Sequence, residues 1–374
     1  MTLPLKYDYA PMEALSVAEL PRGRQWQYEP KWDGFRCIAF RDGAKVELRS
    51  KAGKSLSRYF PEIVAALSAL AAKKFVLDGE LVIPQGRALS FDALLQRIHP
   101  AASRVATLSR ETPAIYVVFD MLVDGRGRSL VNDTLRERRE QLAVFAGRFF
   151  GDATAFVRLS PCTRSHALAL KWLVGRAGLD GVVAKQTDLP YETGTRNGMQ
   201  KIKRIRTADC VVGGFRYASK GRAIGSLLLG LYDDEGLLDH VGFVSSFSRE
   251  ERETLRAKLE KLVKPPGFTG RKPGGPSRWS TDRSADWKPV EAKLVIEVTY
   301  DHYSGDRFRH GTGFVRWRPD KAPRQCTIEQ VQQPVATVAR LLSPRKSERV
   351  TVAAKRVHKA VRKAVRKSAR KIAR

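Results

Sequence analysis

The stretch Glu29-Pro30-Lys31-Trp32-Asp33-Gly34-Phe35-Arg36 sets one lysine among two carboxylates, an arginine and a glycine turn. Lys31 reads as a nucleophile. A free lysine amine, with a reference pKa of about 10.4, is neutral at pH 7 only to about one part in a thousand or less, so it attacks phosphorus only where its surroundings favour the neutral form. Neighbouring cations and partial burial are the expected means. The flanking runs Gln25 to Tyr28 and Phe35 to Phe40 are rich in aromatic and β-branched residues, which predicts two strands meeting at a turn near Asp33-Gly34. Taken alone, a lysine beside Asp-Gly more often marks a solvated hairpin, so the decision rests on the rest of the chain.

At 374 residues the chain exceeds one typical domain, and two domains with a terminal extension are the natural expectation. Cys37, Cys162, Cys210 and Cys326 lie far apart with no C-x-x-C pair. They fit neither a zinc ribbon nor a secreted disulfide framework, and read as reduced thiols of a cytosolic protein. Lys6, Asp8 and Glu13 interrupt the N-terminal stretch, and no window approaches about 18 uninterrupted apolar residues, so a soluble, unexported chain is expected. The net charge of +29, from 68 basic and 39 acidic residues, implies a polyanionic partner, with nucleic acid ahead of membrane or acidic protein.

Val46 to Lys51 is a strand pattern ending in hydroxyl and basic groups, and Pro61 to Ala72 reads as a helix with proline at its start. Phe75 to Val82 is a strand carrying Asp78-Gly79-Glu80 among apolar residues. Carboxylates there are costly unless paired with a cation or metal, so Glu80 is either a site residue or a salt-bridged structural one. Tyr116 to Met121 is a further apolar strand, in which Phe119 by itself suits the core better than base stacking. A charged helix opens at Thr134 and another spans Ser165 to Ala177; Asp180-Gly181-Val182-Val183-Ala184-Lys185 then repeats the acid, glycine, strand, lysine order. Past the polar loop Tyr191 to Gly198, alternation puts Lys201 and Lys203 on one face of a strand, as a shared phosphate or a solvated edge would require.

From Thr207 the pattern becomes a β meander, with strands over Cys210 to Tyr217, Ile224 to Tyr232 and Leu238 to Phe247. A charged helix from Arg249 to Val263 follows, then a proline and glycine loop, a strand over Leu294 to Tyr300, and Arg316-Trp317-Arg318-Pro319-Asp320-Lys321. Short strands around one helix predict a small barrel of the OB kind, with a domain boundary near Arg206 to Ala208. The final stretch, Ser343 to Arg374, holds thirteen Lys or Arg against one acid, Glu348. Its tetrapeptide repeats would drift about 40° per repeat on a helix, so disorder in solution and helix formation on a polyanion are expected.

Taken in order, Lys31-Trp32-Asp33-Gly34-Phe35-Arg36, Ser50-Lys51, Asp78-Gly79-Glu80, Phe119, Asp180 to Lys185 and Lys201-Ile202-Lys203 resemble the nucleotidyltransferase motifs shared by ATP-dependent DNA ligases, RNA ligases and mRNA capping enzymes. The Arg316 to Lys321 element is similar to the final motif of the DNA ligases. The likeness runs over roughly Leu5 to Leu342 and is nearest to the small stand-alone bacterial repair ligases of the ligase C type. It implies an α+β fold: a nucleotidyltransferase, ATP-grasp-like catalytic domain over 1–206, an OB-fold β-barrel over 207–342, and the basic tail over 343–374.

The resemblance further implies that Lys31 attacks the α-phosphate of ATP, that AMP passes to the 5′-phosphate of a nick, and that the 3′-hydroxyl displaces it. On this reading Glu29 contacts the adenine edge, Arg36 and Glu80 lie near the ribose, and Phe119 stacks on the base. Glu80 and Asp180 help place Mg²⁺ or Mn²⁺. Lys51, Lys185, Lys201 and Lys203 complete the ATP site, and Arg316, Arg318, Asp320 and Lys321 close over the pyrophosphate during adenylation. The implied partners are nicked double-stranded DNA and repair proteins, with no membrane, for a monomer of the bacterial cytoplasm associated with the nucleoid and serving repair and recombination. Two positions depart from the usual pattern: Lys51 where the family often has arginine, which loses a bidentate fork, and Asp180 where it often has glutamate. An RNA ligase or capping-type enzyme shares the lysine chemistry, and a non-catalytic DNA-binding protein is the remaining alternative.

Overall fold

The computed structural model describes residues 3–86, 88–151, 155–174, 179–219, 221–274 and 286–332. The apolar run of Phe35–Asp42 is buried inside a five-stranded sheet. Its order is Lys45–Ser50, Phe35–Asp42, Lys74–Val82, Ile115–Val123 and Val157–Leu159, antiparallel except for the last pair. Trp26–Lys31 lies instead in a four-stranded sheet, ordered Leu15–Ser16, Met199–Lys203, Gly181–Gln186 and Trp26–Lys31.

The predicted hairpin at Asp33-Gly34 is therefore corrected: the chain crosses there from one sheet to the other. Gly34 serves close approach rather than a tight turn, because a Cβ on it would sit 2.1 Å from the Leu81 carbonyl oxygen. The strand carrying Lys31 and the strand carrying Glu80 are thereby held face to face.

Helices form where the sequence provides stop and start signals. Pro61–Ala69 begins on its proline and ends when Leu70 turns extended, three residues short of the predicted end. Leu135–Phe149 and Arg249–Glu260 each open with a capping box, Thr134 with Glu137 and Ser248 with Glu251. Phe91–Arg97 and Ala102–Glu111 were not anticipated; the first is seven residues long, too short for a helical period to register.

A third sheet, antiparallel throughout, runs Leu238–Val244, Ile224–Tyr232, Arg206–Tyr217, Val295–Tyr300 and Gly313–Trp317, with Lys288–Pro289 pairing to Arg206–Tyr217 off that path. Among the described residues the pairing does not close into a barrel. At the two edges an isolated bridge joins Val244 to Thr312, the residue before Gly313–Trp317, and the Thr312 hydroxyl donates to the Phe243 carbonyl at 3.0 Å. One apolar cluster draws solely on residues from Ala208 onward, while three others draw solely on residues up to Ile202. All four cysteines are free, with Cys162 exposed and the others buried. No helix among the described residues is long and apolar enough to cross a membrane. The basic stretch 343–374 lies outside the described residues.

Candidate active site

Strand alternation assembles one wall of a pocket. Antiparallel pairing sets Lys31 opposite Gly181, Glu29 opposite Val183 and Gln27 opposite Lys185, and beyond them Val183 opposite Lys201 and Gly181 opposite Lys203. Directly opposed residues share a face, so Glu29, Lys31, Lys185, Lys201 and Lys203 all project to one side of this sheet. The facing sheet contributes Arg36, Glu80, paired opposite each other, and Phe119. Lys51 and the N-terminal segment Pro11 to Ala14 complete the lining.

Within the pocket most charges are already partnered. Glu29 is buried, accepts from Gln27 Nε2 at 2.9 Å and pairs with Lys185 at 2.8 Å. Arg36 donates to both oxygens of Asp78. Arg36 and Lys185 stand 4.6 and 4.5 Å from the centre of the Phe119 ring, so that ring meets two cations rather than an open space. Lys51 pairs with Glu13 at 2.8 Å. Lys201 makes no ion pair among the described residues; burial and the neighbouring Lys31, Lys203, Lys51 and Arg196 lower its pKa.

Lys31 is ion-paired to Asp180, whose backbone N–H also donates to the Lys31 carbonyl at 3.1 Å. Burial pulls the amine's pKa down, but Asp180 and the more distant Glu80 and Asp33 outweigh it, and the pKa is raised. The expectation that neighbouring cations make Lys31 neutral is corrected: its strongest partner is an anion 149 positions away.

The Asp78-Gly79-Glu80 ambiguity resolves into two roles. Asp78 is fully buried and takes the salt bridge. Glu80 has no hydrogen-bond or ion-pair partner among the described residues, and burial pushes its pKa up to about 7 against the opposing pull of Arg36 and Lys31. An unpartnered carboxylate at the pocket, with Asp180 close to the same lysine, offers the oxygen donors that a hard divalent cation takes. No group of three or more His, Cys, Asp or Glu able to hold a metal occurs among the described residues. A cation here would thus complete its shell with water or phosphate oxygens.

Other predicted residues lie elsewhere. Lys203 pairs with Asp301 at 2.7 Å instead of lining the pocket. Arg318 and Lys321 both pair with Asp209, at 2.8 and 2.6 Å; Asp320 also holds Arg318, and Arg316 pairs with Glu297. None of these four lines the pocket.

Sequence reading missed a contact that the far end of the chain makes two residues from Lys31. Arg309 donates to both oxygens of Asp33, at 2.6 and 2.7 Å, and its guanidinium lies 3.5 Å from the centre of the Phe91 ring. His302 stands 3.8 Å from Asp33. Burial would raise the Asp33 pKa, but the Arg309 hydrogen bonds and charge lower it overall. The 276 positions between Asp33 and Arg309 leave no local signal.

Two family models match the chain: the ATP dependent DNA ligase domain over residues 11–203 and the ATP dependent DNA ligase C terminal region over residues 220–321. Among curated proteins it is 44% identical to DNA ligase C1 of Mycolicibacterium smegmatis over 347 residues, covering 90% of this chain and 97% of that one. It is 31% identical to the multifunctional non-homologous end joining protein LigD of the same organism, covering 86% of this chain and 40% of that one. A solved structure from a study of Lig E DNA ligases matches with a TM-score of 0.50 at 18% identity, covering 82% of this chain and all of that one, which is a likeness of fold.

Proposed function

This chain belongs to the ATP-dependent DNA ligases, and from that premise we propose that it seals nicks in duplex DNA through covalent adenylation of Lys31. The observation that carries the assignment is convergence: Lys31 sits in a pocket with Glu29, Arg36, Glu80, Phe119, Lys185 and Lys201, drawn from both facing sheets. Positioning and electrostatics are what phosphoryl chemistry asks of a protein, and this wall supplies both.

In the first step the Lys31 amine, having given up its proton, attacks the α-phosphorus of ATP as the bond to pyrophosphate breaks. The lysyl-AMP so formed passes AMP to the 5′-phosphate of the nick and frees Lys31. The 3′-hydroxyl then attacks that 5′-phosphorus, AMP leaves, and the strand is joined. Glu29 presents an acceptor to the adenine edge, Arg36 and Glu80 face the ribose, and Phe119 takes the base by exchanging one of its cations. Lys51, Lys185 and Lys201 serve the phosphates from the pocket wall, and Lys203 joins them on leaving Asp301. Mg²⁺ or Mn²⁺, held by Glu80 and Asp180, would supply neutralisation of phosphate charge.

The remaining parts follow the same reading. Residues 1–206 form the adenylation unit, and 207–342 form an OB-fold unit, supported by the open antiparallel sheet whose edges meet at Val244 and Thr312. Arg316, Arg318, Asp320 and Lys321 leave their acidic partners to close over pyrophosphate. The enzyme works as a monomer on nicked DNA in bacterial repair, within the cytoplasm. A mass measurement after exposure to ATP and Mg²⁺ tests the core of this reading: one AMP should be found on Lys31, and an unmodified chain, or AMP on another residue, would overturn it.

A further inference from the structure

Arg36 does not stand alone in the pocket wall. Its Nε and Nη2 donate to the two oxygens of Asp78, each at 2.6 Å, while its guanidinium faces the Phe119 ring. The Asp78 Oδ2 that takes Arg36 Nη2 also accepts the Tyr191 hydroxyl at 2.6 Å. That hydroxyl in turn accepts the Met12 N–H at 3.0 Å, and Met12 lines the pocket beside Arg36. Tyr191 is itself buried, does not line the pocket, and arrives from 113 positions beyond Asp78. Burial and the adjoining carboxylate push its phenol well above its ordinary value, so the hydroxyl stays a donor at working pH.

We propose that Tyr191 is a positioning residue for ATP binding: acting through Asp78, its hydroxyl fixes the orientation of Arg36, and through Met12 it holds the N-terminal wall of the same pocket. The inference rests on reading that pocket as the ATP site. A buried carboxylate can meet a guanidinium in several rotations; a third donor on one oxygen selects among them. Without the hydroxyl, Oδ2 loses a partner in a place that water does not refill, Asp78 turns toward whatever donor remains, and Arg36 loses its fixed plane over Phe119.

The test is a double-mutant cycle on the rate of lysyl-AMP formation against ATP concentration, with Tyr191→Phe, Arg36→Lys and the pair. Tyr191→Phe keeps the ring and should raise the half-saturating ATP concentration by about tenfold, the worth of a hydrogen bond to a charged group, while the melting temperature falls by only a few degrees and the enzyme stays folded at the assay temperature. In the Arg36→Lys background the same change should cost less than about twofold, because the group it orients is gone. Effects that simply multiply, or a silent Tyr191→Phe, overturn the proposal. A silent Arg36→Lys would instead remove the ATP assignment at Arg36 and take the Tyr191 role with it. Should Tyr191→Phe fail to fold, Asp78→Asn enters the same cycle with the same non-additivity expected, and additivity there overturns it.

Discussion

In the proposed reaction one nitrogen, Lys31 Nζ, carries the covalent step, and its removal separates chemistry from grip. Lys31→Ala should abolish both the AMP adduct and sealing of a nick, while DNA binding stays close to wild type, since one cation is lost from a net charge of +29. Sealing assays and gel-shift titrations on the same preparation check both halves; normal sealing by this variant would falsify the nucleophile assignment. The place of Lys31 in a pocket was legible because its sequence neighbours Glu29, Pro30, Trp32 and Arg36 line that pocket with it. Its electrostatics were not. Asp180 lies 149 positions away and reaches Lys31 because the residue after it, Gly181, stands directly opposite Lys31 in the sheet. At φ +148° Gly181 adopts a backbone that side chains rarely take, and a Cβ there would lie 2.0 Å from the Ile202 carbonyl oxygen, so only glycine permits that approach. Asp78 and Glu80 illustrate the same limit: two carboxylates one residue apart take opposite roles, and which one is buried against an arginine depends on how the sheets face each other.

Among the elements, strands with their own apolar alternation were read to within a few residues, as at Ile224–Tyr232, whereas the connection at Asp33-Gly34 was misread because a sheet crossing and a hairpin use the same residues. The Leu238–Val244 strand gives a pH test. His240 on it is held neutral: burial, then the nearby Arg216, Arg271 and Arg307, lower its pKa to about 4. Because the folded value lies below the ordinary one, the unfolded chain takes up a proton first as pH falls, and the folded state loses stability from about pH 6.5 down to about 4. At pH 5 the loss is on the order of 2 kcal/mol. His240→Gln should shrink the stability difference between pH 7.5 and pH 5 by that amount in denaturant titrations; an unchanged difference would mean that the ring is solvated. The Arg316 to Lys321 element carries another expectation. Asp209 holds Arg318 and Lys321 together, with Gln330 clamping the Asp209 backbone on both its N–H and its carbonyl. If this element serves the ATP step, Arg318→Ala should fail to become adenylated yet seal a nick already bearing 5′-AMP. Equal loss of both activities would point to collapse of the Asp209 cluster.

On the scale of the whole molecule, the N-terminal sheets and the later part of the chain touch through residues that no local pattern links: Asp33 with Arg309 and His302, and Lys203 with Asp301. Charge, by contrast, was legible from composition alone. Thirteen of the 68 cations lie in the last stretch, Ser343 to Arg374, beside a single acid, and we propose that this stretch tethers the enzyme to DNA without regard to sequence. Each phosphate it neutralises contributes about −0.9 to the slope of log affinity against log salt on duplex DNA, so ending the chain near Leu342 should flatten that slope by several units. Lys31, Glu80, Asp180 and Lys201 all lie outside the stretch, so the shortened enzyme should form lysyl-AMP at the wild-type rate. Its sealing should fall chiefly at low DNA concentration or raised salt, where encounter limits the rate, and should recover once nicked DNA is saturating. Binding at several salt concentrations, together with single-turnover sealing, distinguishes the outcomes. An unaltered salt slope would reduce the stretch to a solubilising extension, and a shortened enzyme unable to take up AMP would place it inside the fold.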